Sequence, residues 1–244
     1  MNLHVYDTAV KMGEAAAKRV AELICETVEE KGKCRILVST GQSQFEYFDA
    51  LVKLPIPWDK VEVFHLDEYI DLPITHPASF RKYLKERFID KVPGATMHYL
   101  DTDGDIDALI RDVTALITAE PIDIGIIGIG ENGHIAFNDP PADFETTASY
   151  HVVNLDERCR LQQVGEGWFA GIDEVPKQAL SATVWQIMQC RNIVSVVPHA
   201  VKAEAVKKTL RSPEVTNMVP ATKLRECENW DLFLDADSAA YLLR

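Results

Sequence analysis

Apolar positions along the chain recur with two periods. Short, β-branched runs at residues 3–6, 35–39, 61–66, 97–100, 122–127, 150–154 and 193–197, with a last one ending at Phe233 and Leu234, read as strands. Between them lie stretches with an apolar residue every three or four positions. The longest begins after Thr8, an N-cap candidate, and carries Val10, Ala17, Val20, Ala21, Ile24 and Val28 on one side as far as Lys31. Further helices are predicted after Thr40-Gly41-Gln42-Ser43, with Phe45, Phe48 and Leu51 as the apolar side, and over 106–118, 183–190 and 202–210. Another spans 77–88, with Pro77 and Ser79 in its first turn. Residues 156–169 are polar and helix-prone but carry Gly165 and Gly167. Strands alternating with helices predict a single-domain α/β fold over 1–244: a mainly parallel, Rossmann-like sheet with helices on both faces.

The run at 122–127 leads into Gly128, Gly130 and Gly133, then His134 and Asp139. Loops that follow strands share one edge of such a sheet, and ligands bind there. The spacing Gly128-x-Gly130-x-x-Gly133 matches the dinucleotide-binding fingerprint. That motif needs a helix opening at its last glycine, whereas His134-Ile-Ala-Phe-Asn runs into Asp139-Pro140-Pro141, and prolines stop a helix. A nicotinamide cofactor is therefore not expected. Asn132, His134 and Asp139 instead form a candidate acid–base group, since imidazole titrates near neutrality and a carboxylate fixes its tautomer.

Two more loops should reach the same edge. Ser39-Thr40-Gly41-Gln42-Ser43 supplies hydroxyls, a glycine and helix-start amides, which suit a phosphate; an ordinary strand–helix turn capped by Ser43 accounts for the same residues. His65-Leu66-Asp67-Glu68-Tyr69 sets two acids side by side after a strand. A shielded carboxyl with a raised pKa suits a base near neutral pH, although a helix N-cap or surface turn is the plainer reading.

Composition narrows the partners. Hydrophobic residues make up 47% of 244, enough for a sizeable core. Lys and Arg number 25 against 38 Asp and Glu, a formal charge of −13, which argues against nucleic acid and anionic membrane surfaces. A phosphorylated metabolite needs only a few local donors and stays compatible. Five dispersed cysteines without a C-x-x-C pair suggest reduced thiols and a cytoplasmic setting. The first residues lack a basic region and an apolar core, so no signal peptide is expected, and no apolar run approaches the roughly 18 residues that span a bilayer. Seven scattered histidines give no metal-ligand spacing. Trp168 and Phe169, between glycines, suit either a lid or plain packing; Trp58, Trp185 and Trp230 read as core or interface.

In combination, Thr40-Gly-Gln-Ser43, Leu66-Asp-Glu-Tyr69 with Leu72-Pro73 and His76-Pro-Ala-Ser79, and Gly128-Ile-Gly-Glu-Asn-Gly-His-Ile-Ala-Phe-Asn-Asp-Pro140 resemble the glucosamine-6-phosphate deaminase (isomerase) family. Order and spacing are similar over most of the chain, with Val175-Pro176 and Lys202 included. The related 6-phosphogluconolactonases share the fold, but their acidic motif is closer to D-E-R and their histidine loop continues S-L-F-P. Asp-Glu-Tyr and A-F-N-D-P favour the deaminase side.

The resemblance implies that His134 assists opening of an aminosugar phosphate and that Asp67 shuttles a proton between C2 and C1. Ammonia then leaves an enolamine to give a ketose phosphate, with no metal or organic cofactor. It also implies phosphate on Thr40, Gly41 and Ser43 with Lys202 as cationic partner, and Ser39, Gln42, Gly130 and Gly133 around the ligand. The expected partner is a small phosphorylated sugar, with self-association left open. Two departures stand out. Asp139 replaces the glutamate of the best-known members and is about 1.5 Å shorter, predicting weaker coupling to His134. Gln163 stands where the family often supplies a phosphate-binding arginine, losing a charge-assisted pairing, with Arg158 and Arg160 as the nearby cations. A lactonase or isomerase of another sugar phosphate, and a non-catalytic phosphosugar sensor, are the alternatives.

Overall fold

The computed structural model describes residues 1–155, 157–165 and 167–242. The two hydrophobic periods resolve into β1 (Asn2–Tyr6), α1 (Ala9–Lys31), β2 (Cys34–Val38), α2 (Phe45–Leu51), β3 (Val61–His65), β4 (Asp67–Tyr69), α3 (Phe80–Arg87), β5 (Thr96–His98), α4 (Ile106–Thr118), β6 (Ile124–Ile126), β7 (Tyr150–Asn154), α5 (Glu157–Gly165), β8 (Gln178–Ala182), α6 (Val184–Met188), β9 (Asn192–Val197), α7 (Ala203–Arg211) and β10 (Trp230–Asp235). Local chemistry sets the ends of α1. Thr8 caps it by accepting from Lys11 N–H, and Gly32 ends it at φ +77°, donating its N–H to Val28 O.

Seven strands form one parallel sheet in the order β1-β10-β9-β6-β2-β3-β5. Successive residues of a strand point to opposite faces, so Leu37 and Phe64 enter one core with α4, α6 and α7. Ile36, Val38 and Val63 enter the other with α1, α2 and α3. Helices thus cover both faces, as predicted. The buried Arg35 guanidinium donates to the carbonyls of Leu116, Ile117 and Glu120, satisfying the C-terminal end of α4.

Register aligns the strand ends. Val38 pairs with both His65 and Ile126, and Ile126 pairs with Val194. The loops after β2, β3, β6 and β9 therefore leave from one edge. From β2 the chain builds outward through β3 and β5, then returns to the other side of β2 with β6. That reversal between β2 and β6 is the switch point at which open α/β sheets bind ligands.

A second sheet lay outside the sequence reading. β4, β8 and β7 pair antiparallel, with Asp67 opposite Ser181 and Tyr69 opposite Ala179. Asp67-Glu68-Tyr69, expected as part of a loop after the third strand, itself forms a strand after the single residue Leu66. Pairing with β8 overrides the low strand propensity of adjacent acids. Several ends also shift. Pro77 lies ahead of α3, which Ser79 caps by accepting from Lys82 N–H. The helix expected over 202–210 starts at Ala203, after a 3₁₀ turn at Ala200–Lys202, and α5 starts at Glu157, with Asp156 outside the described residues. Trp58 and Trp230 are buried in the cores as expected, and Trp185 is half-buried.

Candidate active site

The loops that leave the shared edge enclose a cleft of about 470 Å³. Its walls come from residues 39–43 after β2, Asp67 at the start of β4, the 128–131 turn with His134, Gln163 of α5, and His199 with Lys202 after β9. The structure thus brings Ser39, Thr40, Gly41, Gln42, Ser43, Asp67, Gly130, His134 and Lys202 together. Asn132, Gly133 and Asp139 stand behind this surface.

The 128–139 segment is a tight turn with no helix, in keeping with the two prolines that follow it. Gly130 N–H donates to His134 O at 2.9 Å, and Gly133 N–H donates to Gly130 O at 3.0 Å. This folds the imidazole directly over Gly130, where a β-carbon would sit 2.2 Å from His134 Nε2. Glycine is required there by close approach. Gly133, expected to touch ligand, has a backbone role instead. It adopts φ +87°, its carbonyl accepts from Ala221 N–H, and a β-carbon would meet Val219 Cγ1 at 2.7 Å.

His134 Nδ1 lies 2.9 Å from Asp139 Oδ1, although the ring N–H does not point along that line. The aspartate therefore reaches the imidazole despite its missing methylene, because the turn brings its backbone close. Asn132 fixes both partners: its Nδ2 donates to Asp139 Oδ1 at 2.9 Å, and its Oδ1 accepts from His134 N–H at 3.0 Å. Burial pushes the Asp139 carboxyl up, but contacts with His134, Asn132 and the Cys159 thiol outweigh it and hold it below the usual range. The contact from Cys159, on α5, has no signature in the sequence.

Strand alternation separates the two neighbouring acids. Glu68 points into the scaffold, where it accepts from the N–H groups of Tyr69, Phe80 and Arg81, from Ser79 Oγ and from Arg81 Nε. It satisfies the orphan donors at the start of α3, so the helix-cap reading is correct for this acid. Asp67 faces the cleft while only 7% exposed. Burial, with the nearby Glu68 charge, pushes its carboxyl up to about 8. His65, in the same segment, is fully buried, and burial lowers its pKa to about 3, so it is a neutral core residue.

The loop after β2 is polar but tied down. Gly41 adopts φ +100°, and its carbonyl accepts from Tyr83 Oη at 3.0 Å. Gln44 Nε2 donates to Ser43 Oγ at 3.0 Å and to Val196 O at 3.1 Å, pinning the turn against β9. The buried Ser39 Oγ has no protein partner, as expected of a hydroxyl held for a ligand. Lys202 is the one lysine or arginine among the described residues of the cleft. Arg160 does not replace the arginine absent at Gln163: its Nη2 donates to Ile172 O. The Arg158 side chain lies outside the described residues. Trp168 joins the cleft wall, while Phe169 is buried and stacks on His76, so the pair is divided between site and core. Glu131 and His199 also line the cleft, and neither was singled out from sequence.

Among the described residues, no three His, Cys, Asp or Glu side chains could hold a metal ion, and no helix is long and apolar enough to cross a membrane.

Comparison with known proteins agrees with this geometry. The profile of the glucosamine-6-phosphate isomerases/6-phosphogluconolactonase family matches residues 7–232. The glucosamine-6-phosphate deaminase of Oenococcus oeni is 31% identical over 99% of both chains, and that of Bacillus cytotoxicus is 31% identical over 98% of this chain and 88% of its own. A solved monomeric glucosamine-6-phosphate deaminase superposes with a TM-score of 0.89 at 27% identity, covering 98% of this chain and 99% of that one. The 6-phosphogluconolactonase of Trypanosoma brucei shares the fold alone, with a TM-score of 0.80 at 17% identity over 99% of this chain and 98% of its own. The chain belongs to the glucosamine-6-phosphate isomerase/6-phosphogluconolactonase family.

Proposed function

We propose that this cleft converts an aminosugar phosphate, glucosamine 6-phosphate or a close hexosamine phosphate, to a ketose 6-phosphate and ammonia. One observation carries the reading: a desolvated carboxyl, Asp67, shares a cleft with the His134–Asp139 pair and with the hydroxyl-bearing 39–43 loop. His134 moves a proton to the ring oxygen and opens the sugar. The ionised Asp67 takes the C2 proton, which is acidic beside the C1 aldehyde, and an enolamine forms. Returning a proton to C1 gives a C2 imine, and one water hydrolyses it to the ketone with release of ammonia. No electrons leave the substrate, so the step calls for no redox cofactor.

Asp139 and Asn132 orient the imidazole. Thr40, Gly41, Ser43 and Lys202 hold the phosphate, with Ser39 and Gln42 beside them. All these groups come from one chain. Five free thiols suit a cytoplasmic enzyme. The test is a screen of hexosamine 6-phosphates with ammonia as readout, run beside 6-phosphogluconolactone hydrolysis. Ammonia from at least one hexosamine phosphate supports the reading, and lactone hydrolysis without ammonia refutes it.

A further inference from the structure

His199 occupies a backbone region that is almost reserved for glycine. Its φ is +77° and its ψ +149°, a conformation strained for any residue with a β-carbon. The surroundings hold it there. Asp235, buried at the end of β10, accepts the His199 N–H on both carboxylate oxygens, at 3.1 and 3.0 Å, and accepts Ser238 N–H at 2.8 Å. Lys202 N–H then donates to His199 O at 3.0 Å, closing the 3₁₀ turn. A buried acid thus holds the kink together with the turn that follows β10.

The kink does not serve packing. His199 is only half-buried, it lines the cleft, and among the described residues its ring has no hydrogen-bond partner. Strained residues over-determined by their neighbours cluster at ligand sites. The place is also where positive charge is scarce. Lys202 is the one lysine or arginine among the described cleft residues, while Asp67 and Glu131 add two acids. The Gln44–Val196 bond holds the 39–43 loop against the end of β9, next to the kink.

We infer that His199 is a ligand-binding residue whose ring donates a hydrogen bond to the phosphate of the sugar, beside Lys202 and the hydroxyls of Thr40 and Ser43. The inference rests on the phosphosugar reading of the cleft. A binding role and a structural role predict opposite stability changes for His199→Gly, because glycine relieves the strain while removing the ring. The experiment measures melting temperature, and calorimetric affinity for glucitol 6-phosphate and inorganic phosphate, in wild type, His199→Gly and His199→Asn. For His199→Gly we expect a melting temperature equal to or a few degrees above wild type and a Kd about tenfold weaker. His199→Asn keeps a donor under the same backbone strain, and recovers part of the affinity. Unchanged affinity in His199→Gly overturns the inference, as does a loss of affinity accompanied by a lower melting temperature. Wild type that binds glucitol 6-phosphate but releases no ammonia refutes the deaminase reading alone; wild type that binds neither probe overturns both.

Discussion

Replacing Asp67 by asparagine removes a carboxyl that the fold holds against its own stability. Asp67 sits at the sheet edge with its pKa raised from an ordinary 3.8 to about 8 by burial and by Glu68. In the unfolded chain the group gives up its proton near pH 3.8, whereas the folded chain retains it up to about 8. Between those values the folded state binds the extra proton, so stability falls as pH rises, by about 1.4 kcal/mol per unit. The stabilising protonated form is fully present below the unfolded value and lost as pH passes through the folded one. At pH 7 the deficit reaches roughly 4 kcal/mol. The asparagine side chain has a similar shape and no proton to lose. Asp67→Asn should therefore melt higher than wild type by on the order of 10 °C at pH 7.5, with the gap reduced to about a fifth of that at pH 4.5. Taking the difference between the two proteins at each pH cancels every group they share. Turnover should fall by about 10²–10⁴, the usual contribution of a positioned base. A gap that stays constant between pH 4.5 and 7.5, or a variant that melts below wild type at pH 7.5, refutes the buried-base argument.

Other outcomes follow from particular contacts. Gly130→Ala places a methyl 2.2 Å from His134 Nε2 and should cut kcat by about 100-fold through ring displacement, read by steady-state kinetics with a melting curve to show that it folds. Asp139→Asn leaves the imidazole without its charge partner and should lower kcat by roughly 10²-fold with a smaller change in KM. Glu68→Gln should destabilise by about 3 kcal/mol in urea unfolding, since an amide NH2 would face the Ser79 and Arg81 donors that a carboxylate oxygen now accepts; an unchanged midpoint would contradict that role. The rising limb of kcat/KM should lie toward pH 8, because Asp67 must ionise in the free enzyme before it acts as a base.

Much of this arrangement was legible before any coordinates. Thr8 and Lys31 bounded α1, the prolines after Asp139 excluded a nucleotide-type helix, and the strand–helix alternation placed three loops on one edge. What stayed hidden depends on pairing between distant segments. β4 and β8 have compositions, Asp-Glu-Tyr and Gln-Ala-Leu-Ser-Ala, that carry little strand propensity, and only their mutual pairing makes them strands. That pairing sends Asp67 and Glu68 to opposite faces, so sequence adjacency said nothing of their separate roles. The length of Asp139 suggested a gap that the backbone turn closes. His199 gave no warning, since no glycine marks the positive-φ position it occupies.

The central claim is that Asp67 moves the proton that lets ammonia leave. Purified wild type should form ammonia and fructose 6-phosphate in equal amounts from glucosamine 6-phosphate, and Asp67→Asn, shown by its melting curve to be folded, should form neither at a comparable rate. Equal rates in the two proteins, or ketose phosphate without ammonia, would contradict the account.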